Sequence, residues 1–453
     1  MNETPSQVAF FERVRVCELA HQVCDIEVEG VPVWDLIRFE VCLEQLMVDV
    51  GIGTPRRMAA TSGRGRRMWR RCKKLWHNWR LDVAPLRGQP MVFGSGRRKK
   101  EADGCWWDPV WDPVAAALPQ PSLYLQMTMQ EPLWDPIPGG EVYYLDGHVI
   151  RALLSPGPKP RFSAEAEQRL NAFSASLEEA FGVPVDVLGT ARSILERHMA
   201  RRRAFGRLLD YLQPSVLFLA VGYGSEYIIE CAREREIPLV ELQHGTIHTC
   251  HPAYHYPEGL YKRLLPDYFL SYGPAWAEHV ALPYRKEQVR VMGYPYLDGK
   301  LAALKVDEKK KQVVVISQGV VGEALTRFAV GLRQVLPAEV PVVLKLHPGE
   351  YGGWEEGYPW LAGSNVEVHA DDTRPLLSVL AESMVQVGCF STALYEGVAL
   401  GCRTYCVDAP GVNHPDTHLV ARYLHGAREI SVAVKDKAAR RQSLVFLTFQ
   451  GME

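Results

Sequence analysis

From residue 90 onward the chain alternates short apolar runs with longer stretches at helical spacing, the pattern of parallel strands each followed by a covering helix. PMVFG (90–94) opens this region, and VLFLAV (216–221), PLVEL (238–242), YFLS (268–271) and VRVM (289–292) read as further strands of a first doubly wound α/β domain. A second unit begins near 311, with strands at QVVVI (312–316), PVVLKL (341–346), 366–368, 384–387 and 404–407. The pattern predicts two Rossmann-like domains in series, joined near 297–311, with a deep cleft between their strand C-termini. Open α/β sheets bind ligands at that edge.

The chain before residue 86 reads differently. Residues 7–50 carry apolar positions at mainly helical spacing, interrupted by DIEVEGVPVW (25–34), which alternates like a small hairpin. This predicts a small N-terminal helical cap. IGTPRRMAATSGRGRR (52–67) reads as a linker or mobile loop. Beyond it Met68, Cys72, Leu75, Trp76 and Trp79 recur along one side of a helix, surrounded by Arg66, Arg67, Arg70, Arg71, Lys73, Lys74 and Arg80. A basic amphipathic helix of this kind either lies on an anionic membrane surface or packs on the domain with a solvated basic face. The expected organisation is therefore 1–85 for cap and basic helix, 86–300 for the first Rossmann-like domain, and 301–453 for the second with C-terminal helices.

Composition agrees with more than one core, since 453 residues at 47% hydrophobic content exceed an ordinary single domain. A formal net charge of −2 excludes a whole-molecule nucleic-acid footprint, so attraction to anionic partners must come from local patches. The ten cysteines are scattered, without a C-x-x-C pair or a His/Cys cluster at zinc spacing, and read as reduced core thiols. No basic segment precedes a long apolar run at the N-terminus, and no stretch of 18 apolar residues occurs. A cytoplasmic protein, free or peripherally attached to the membrane, is expected.

The segment richest in chemistry is VQVGCFSTALYEGVALG (385–401), where a strand ends, a Gly-Cys-Phe turn follows, and Ser391 and Thr392 start a helix. Ser and Thr favour the N-cap, and the free N–H groups behind them, with the helix dipole, form an anion site. A phosphate fits there, and Glu396, one turn on, can accept hydrogen bonds from ribose hydroxyls. The strand PVVLKL ends in His347-Pro348-Gly349, and Pro348 forces His347 into an extended conformation at the strand's C-terminal edge. An imidazole there can hold a leaving phosphate beside the Ser391 helix.

The first domain supplies candidates for a catalytic base. VLFLAVGYGSE leaves Glu226 at the start of a helix, and VELQHG leaves His244 before Gly245. Either can take a proton from an acceptor hydroxyl, although a first-turn helix acid and a core histidine are the plainer readings. No Asp-x-Asp stands at a strand end, so no metal is expected, and one phosphate held by a helix N-terminus and a histidine favours a CMP over a UDP donor. Arg97 and Arg98, in the cluster after FGSG, are candidates for meeting an anionic acceptor, against the reading of a solvated charge run.

LKLHPGE and GCFSTALYEGVALG together resemble the His-Pro and Ser-Ser/Thr motifs of bacterial sialyltransferases, Kdo transferases of capsule synthesis and CDP-glycerol glycerophosphotransferases. SEYIIECAREREIPLVELQHGTI, PDYFLSYG and VMGYPYLD resemble the Gln-His-Gly region of capsule polysaccharide biosynthesis proteins, so the resemblance covers about 210–410. It implies a GT-B fold, two Rossmann-like domains facing a central cleft, and a glycosyltransferase of the cell envelope. By this resemblance His347, Pro348 and Gly349 contact the donor phosphate, while Ser391 and Thr392 cradle it. Bacterial sialyltransferases carry a catalytic carboxylate in an acidic-acidic-Gly motif, whose nearest counterpart here is Ala102-Asp103-Gly104, making Asp103 a third candidate base. The expected reaction moves a CMP-activated acidic sugar, of nonulosonate or Kdo type, onto a surface glycan, lipid-linked precursor or glycoprotein, with no cofactor beyond the nucleotide sugar. The alternatives are a UDP-sugar 2-epimerase-like enzyme and a non-catalytic subunit of polysaccharide assembly.

Overall fold

The computed structural model describes residues 7–50, 64–82, 84–94, 98–100, 106–126, 140–154, 159–304, 309–319, 321–389 and 391–407. Its N-terminal cap contains helices α1 (Gln7–Ala20) and α2 (Val33–Phe39), separated by the short hairpin Glu27–Val28 with Val31–Pro32. Glu29 and Gly30 turn that hairpin with φ of 52° and 78°, as a tight turn with two left-handed residues requires. The basic segment is helix α3 (Arg64–Arg80), so residues 64–67 of the expected linker are its first turn.

Seven strands then form one parallel sheet: β1 (Met91–Phe93), β2 (Ser122–Gln126), β3 (Gly140–Tyr144), β4 (Leu217–Leu219), β5 (Leu239–Leu242), β6 (Tyr268–Ser271) and β7 (Val289–Val291). Their order across the sheet is 7-6-5-4-1-2-3, every neighbour parallel, which is the doubly wound order with its reversal between β1 and β4. The strands alternate faces. Met91, Phe93, Leu217 and Leu219 pack on one side, while Val92, Phe218 and Leu242 pack on the other beside α4 (Asp112–Ala117). Helix α5 (Asp146–Leu154) follows β3, and α6 (Ala164–Phe181) returns to the cap.

Helix α7 (Val187–Leu212) is capped by Asp186, whose side chain accepts from Gly189 N–H at 2.7 Å. Its first half buries Val187, Ala191 and Leu195 in the core of the cap; its second half buries Phe205, Leu208 and Leu212 against the sheet. One rigid rod thus ties cap to domain, and the cap's core is completed by residues far beyond position 85. Helices α8 (Glu226–Arg233) and α9 (Pro274–His279) follow β4 and β6.

Helix α10 (Pro295–Ala303) leaves the first sheet and packs Leu297 into the core of the second. That sheet contains β8 (Lys310–Ile316), β9 (Val342–Lys345), β10 (Glu367–His369), β11 (Ser383–Gly388) and β12 (Arg403–Cys406), all parallel, in the order 10-9-8-11-12. Helix α11 (Gly322–Val335) covers the face of Val313 and Val315; α12 (Leu376–Glu382) and α13 (Thr392–Ala399) cover the face of Val314 and Ile316. Each fully buried aliphatic side chain in these layers contributes ~1.5–3 kcal/mol. Two parallel doubly wound α/β domains in series are thus present, as the strand and helix pattern of the sequence predicts.

Candidate functional site

In the second sheet the chain leaves β8 toward α11 on one face and leaves β11 toward α13 on the other. The adjacent ends of β8 and β11 are therefore the switch point, where diverging loops open a crevice. β8 ends in Ser317-Gln318-Gly319, and β11 ends in Gly388-Cys389 before the α13 cap. Ser391 is that cap: its backbone is extended (φ −80°, ψ 145°) and its hydroxyl accepts from Ala393 N–H at 3.2 Å. Ser391, Thr392 and Glu396 are all half-buried, and Phe390 lies outside the described residues.

His347 follows β9, on the other side of β8, so the His-Pro turn and the Ser391 cap stand on one sheet edge with the end of β8 between them. The turn is built by Pro348–Glu350. His347 is exposed, and its Nδ1 accepts from Gly349 N–H at 3.1 Å. With Nδ1 occupied as an acceptor, the neutral ring carries its proton on Nε2, which is left as a donor. Glu350 holds the turn in place. Its buried carboxylate accepts from His347 N–H at 2.9 Å, Ser317 Oγ–H at 2.9 Å and Tyr358 O–H at 2.6 Å. A Cβ on Gly322 would stand 2.4 Å from Glu350 Oε1 and 2.1 Å from the Tyr358 hydroxyl, so only glycine opens α11 beside this network. Sequence reading assigned no role to Glu350 or to the Ser317 loop; a carboxylate closing H-P-G-E is the signal that marks the first.

In the first domain, the ends of β4 and β5 present an aromatic and histidine cluster. Glu241, buried in β5, accepts from Gly222 N–H at 2.8 Å, Tyr254 O–H at 2.5 Å and Tyr284 O–H at 2.6 Å. A Cβ on Gly222 would meet that carboxylate at 2.5 Å, and Gly224 has φ of 72°; between them the G-Y-G turn presents Tyr223. The Tyr223 ring stacks on Phe39 of the cap at 4.4 Å and lies 5.6 Å from His251 and 6.1 Å from His244. His244 is half-buried. Its neighbour Gln243 is fully buried and ties two loops together, donating to Gly245 O at 2.9 Å and accepting from Ser271 Oγ–H at 3.1 Å and Tyr272 N–H at 2.8 Å. The cap reaches the same loop through Arg38, which donates to the carbonyls of Pro252 and His255 while ion-paired with Glu18.

Two expected site residues are engaged elsewhere. Glu226 is buried and ion-paired with the buried Lys262 at 3.1 Å. Burial pushes its carboxyl pKa up and the Lys262 ammonium pulls it down. The Glu226 carboxylate is thus held in this pair. The Arg98 side chain is likewise buried, in a bidentate pair with Asp112 (2.7 and 2.8 Å); it donates to Trp106 O and lies over the Tyr124 ring at 4.5 Å. It cannot receive an anionic acceptor without breaking that pair. Arg97 and Asp103 lie outside the described residues. Among the described residues no group of three or more His, Cys, Asp or Glu side chains could hold a metal ion, and no helix is long and apolar enough to cross a membrane.

No family model and no curated protein sequence matches this chain. Among solved structures it is similar to the wall teichoic acid polymerase TagF, with a TM-score of 0.42 and 11% identity over 86% of this chain and 92% of that one. It is similar also to the UDP-GlcNAc 2-epimerase of Neisseria meningitidis bound to UDP-GlcNAc, at TM-score 0.47 and 12% identity over 79% and 93%. The corresponding enzyme of Methanocaldococcus jannaschii, in complex with UDP-GlcNAc and UDP, gives 0.42 and 10% over 76% and 91%.

Proposed function

We propose that the chain is a glycosyltransferase that binds a nucleotide-activated sugar, of the CMP-activated acidic class, at the second-domain edge and transfers it to an acceptor at the first. The observation that carries this reading is His347, exposed with Nδ1 satisfied by Gly349 N–H, on the edge that also bears the Ser391-capped helix. In the reaction the bond between the anomeric carbon and the phosphate oxygen breaks, and charge grows on the departing phosphate. The Nε2–H of His347 donates to that oxygen, while the N-terminal end of the α13 dipole supplies further positive potential, Ala393 N–H being taken by Ser391 Oγ. Glu396 takes the ribose hydroxyls. The acceptor hydroxyl attacks the anomeric carbon and loses its proton to His244, the candidate base whose ring remains beside the cleft loops. The acceptor is a cell-envelope glycan or its lipid-linked precursor, as the sequence resemblance implies.

Incubation with CMP-, UDP- and CDP-activated donors, followed by nucleotide release, tests the reading. Release of CMP dependent on an added glycan acceptor supports it. Conversion of a UDP-sugar to its 2-epimer would instead establish the epimerase-like alternative, and absence of binding to every donor the non-catalytic one.

A further inference from the structure

Helix α3 is docked the wrong way round for a surface helix of a globular protein. Such helices bury their apolar stripe and leave charge outside; here the polar side faces the fold. Lys74 is buried against Asp146 at 3.5 Å. His77 Nε2 meets Val142 O at 3.0 Å, and Asn78 pairs with Tyr144 in both directions, donating to its carbonyl at 2.6 Å and accepting from its N–H at 2.9 Å. These contacts cover β3, the edge strand of the first sheet, much as another strand would.

At 3.6 residues per turn the opposite side of α3 carries Trp69, Cys72, Trp76 and Trp79, with Leu75 beside them. The three tryptophans are 57%, 56% and 81% exposed, and Leu75 39%. Exposed cations flank them: Lys73 lies over the Trp69 ring at 4.0 Å, Arg80 lies over Trp76 at 4.6 Å, and Arg71 stands on the far side. Helix α3 contains no acidic residue, although the chain as a whole has a net charge of −2.

From this inverted docking we infer that the outer face of α3 seats the protein on an anionic lipid bilayer, with Trp69, Trp76 and Trp79 at headgroup depth and the flanking cations among lipid phosphates. Tryptophan at the interface with cations beside it is the composition a bilayer surface selects. A nucleic acid would draw on the cations and leave the apolar side exposed, and a second copy of this helix would bring like charges together. Because α3 is fixed to the sheet edge by its other side, binding needs no unfolding. The inference does not depend on the proposed reaction.

Flotation of the full chain with vesicles tests it, comparing phosphatidylcholine alone with phosphatidylcholine mixed with phosphatidylglycerol. The protein is expected to float with the anionic vesicles at low salt and to be released as salt screens the charges. Lys73→Glu or Arg80→Glu is expected to weaken binding by at least about fivefold for the lost cation. Trp76→Ala combined with Trp79→Ala is expected to remove most binding while leaving the melting temperature unchanged, since both side chains are exposed. The inference is overturned if wild type stays with the soluble fraction, or if the tryptophan variant floats as well as wild type. It is equally overturned if the variant's only change is loss of self-association or of retention on nucleic acid.

Discussion

The ring of Trp276 lies 5.3 Å from that of Tyr395, their planes inclined at 50°. The first residue stands on α9, which follows β6 of the first sheet, and the second on the first turn of α13, the helix capped by Ser391. The candidate donor helix is thus braced against the domain that carries His244. An aromatic pair contributes about 0.5–1.5 kcal/mol beyond its buried area. In a double-mutant cycle of Trp276→Ala and Tyr395→Ala, urea denaturation is expected to give a coupling of about that size. Strictly additive losses would show that the domains do not communicate through this pair.

Glu226 and Lys262 form a buried ion pair, so removing one partner strands the other charge. Glu226→Gln is expected to destabilise by ~3–5 kcal/mol, and pairing it with Lys262→Met to recover most of that loss. Turnover per folded molecule should stay near wild type. A normally stable Glu226→Gln protein with lost turnover would return the base assignment to Glu226.

His255 supplies a pH test. Burial, reinforced by the nearby Arg38 guanidinium, lowers its pKa from the ordinary 6.5 to about 4. The folded state therefore resists the proton that the unfolded chain accepts, and stability contributed by the neutral ring is present above pH 6.5 and lost as pH falls toward 4. His255→Gln should flatten the melting-temperature profile between those two values. An unchanged profile would show that other groups set the acid limb.

Much of the fold is legible because it rests on local rules. Short strand-like runs mark β1 and β4–β12 within one or two residues. The strands at 122–126 and 140–144, SLYLQ and GEVYY, are absent from that pattern and mix polar with aromatic residues. The extended backbone of His347 and the N-cap at Ser391 are legible for the same local reason: a proline fixes the one and an N-cap preference the other. The roles of Glu226 and Arg98 are not, because their partners stand 36 and 14 residues away and only the fold joins them. Nor is the Ser317 loop, whose place at the crevice follows from the order 10-9-8-11-12 rather than from its own residues. The cap's grip on the 252–255 loop through Arg38 spans more than two hundred residues and leaves no local trace.

The most direct test of the donor-site assignment is nucleotide release and melting temperature measured together on His347→Ala. His347 is exposed and its one described side-chain bond caps a short turn, so folding should change little. If its Nε2–H stabilises the departing phosphate, turnover should fall ~100- to 1000-fold. A normally folded His347→Ala protein that releases nucleotide at the wild-type rate would contradict the assignment.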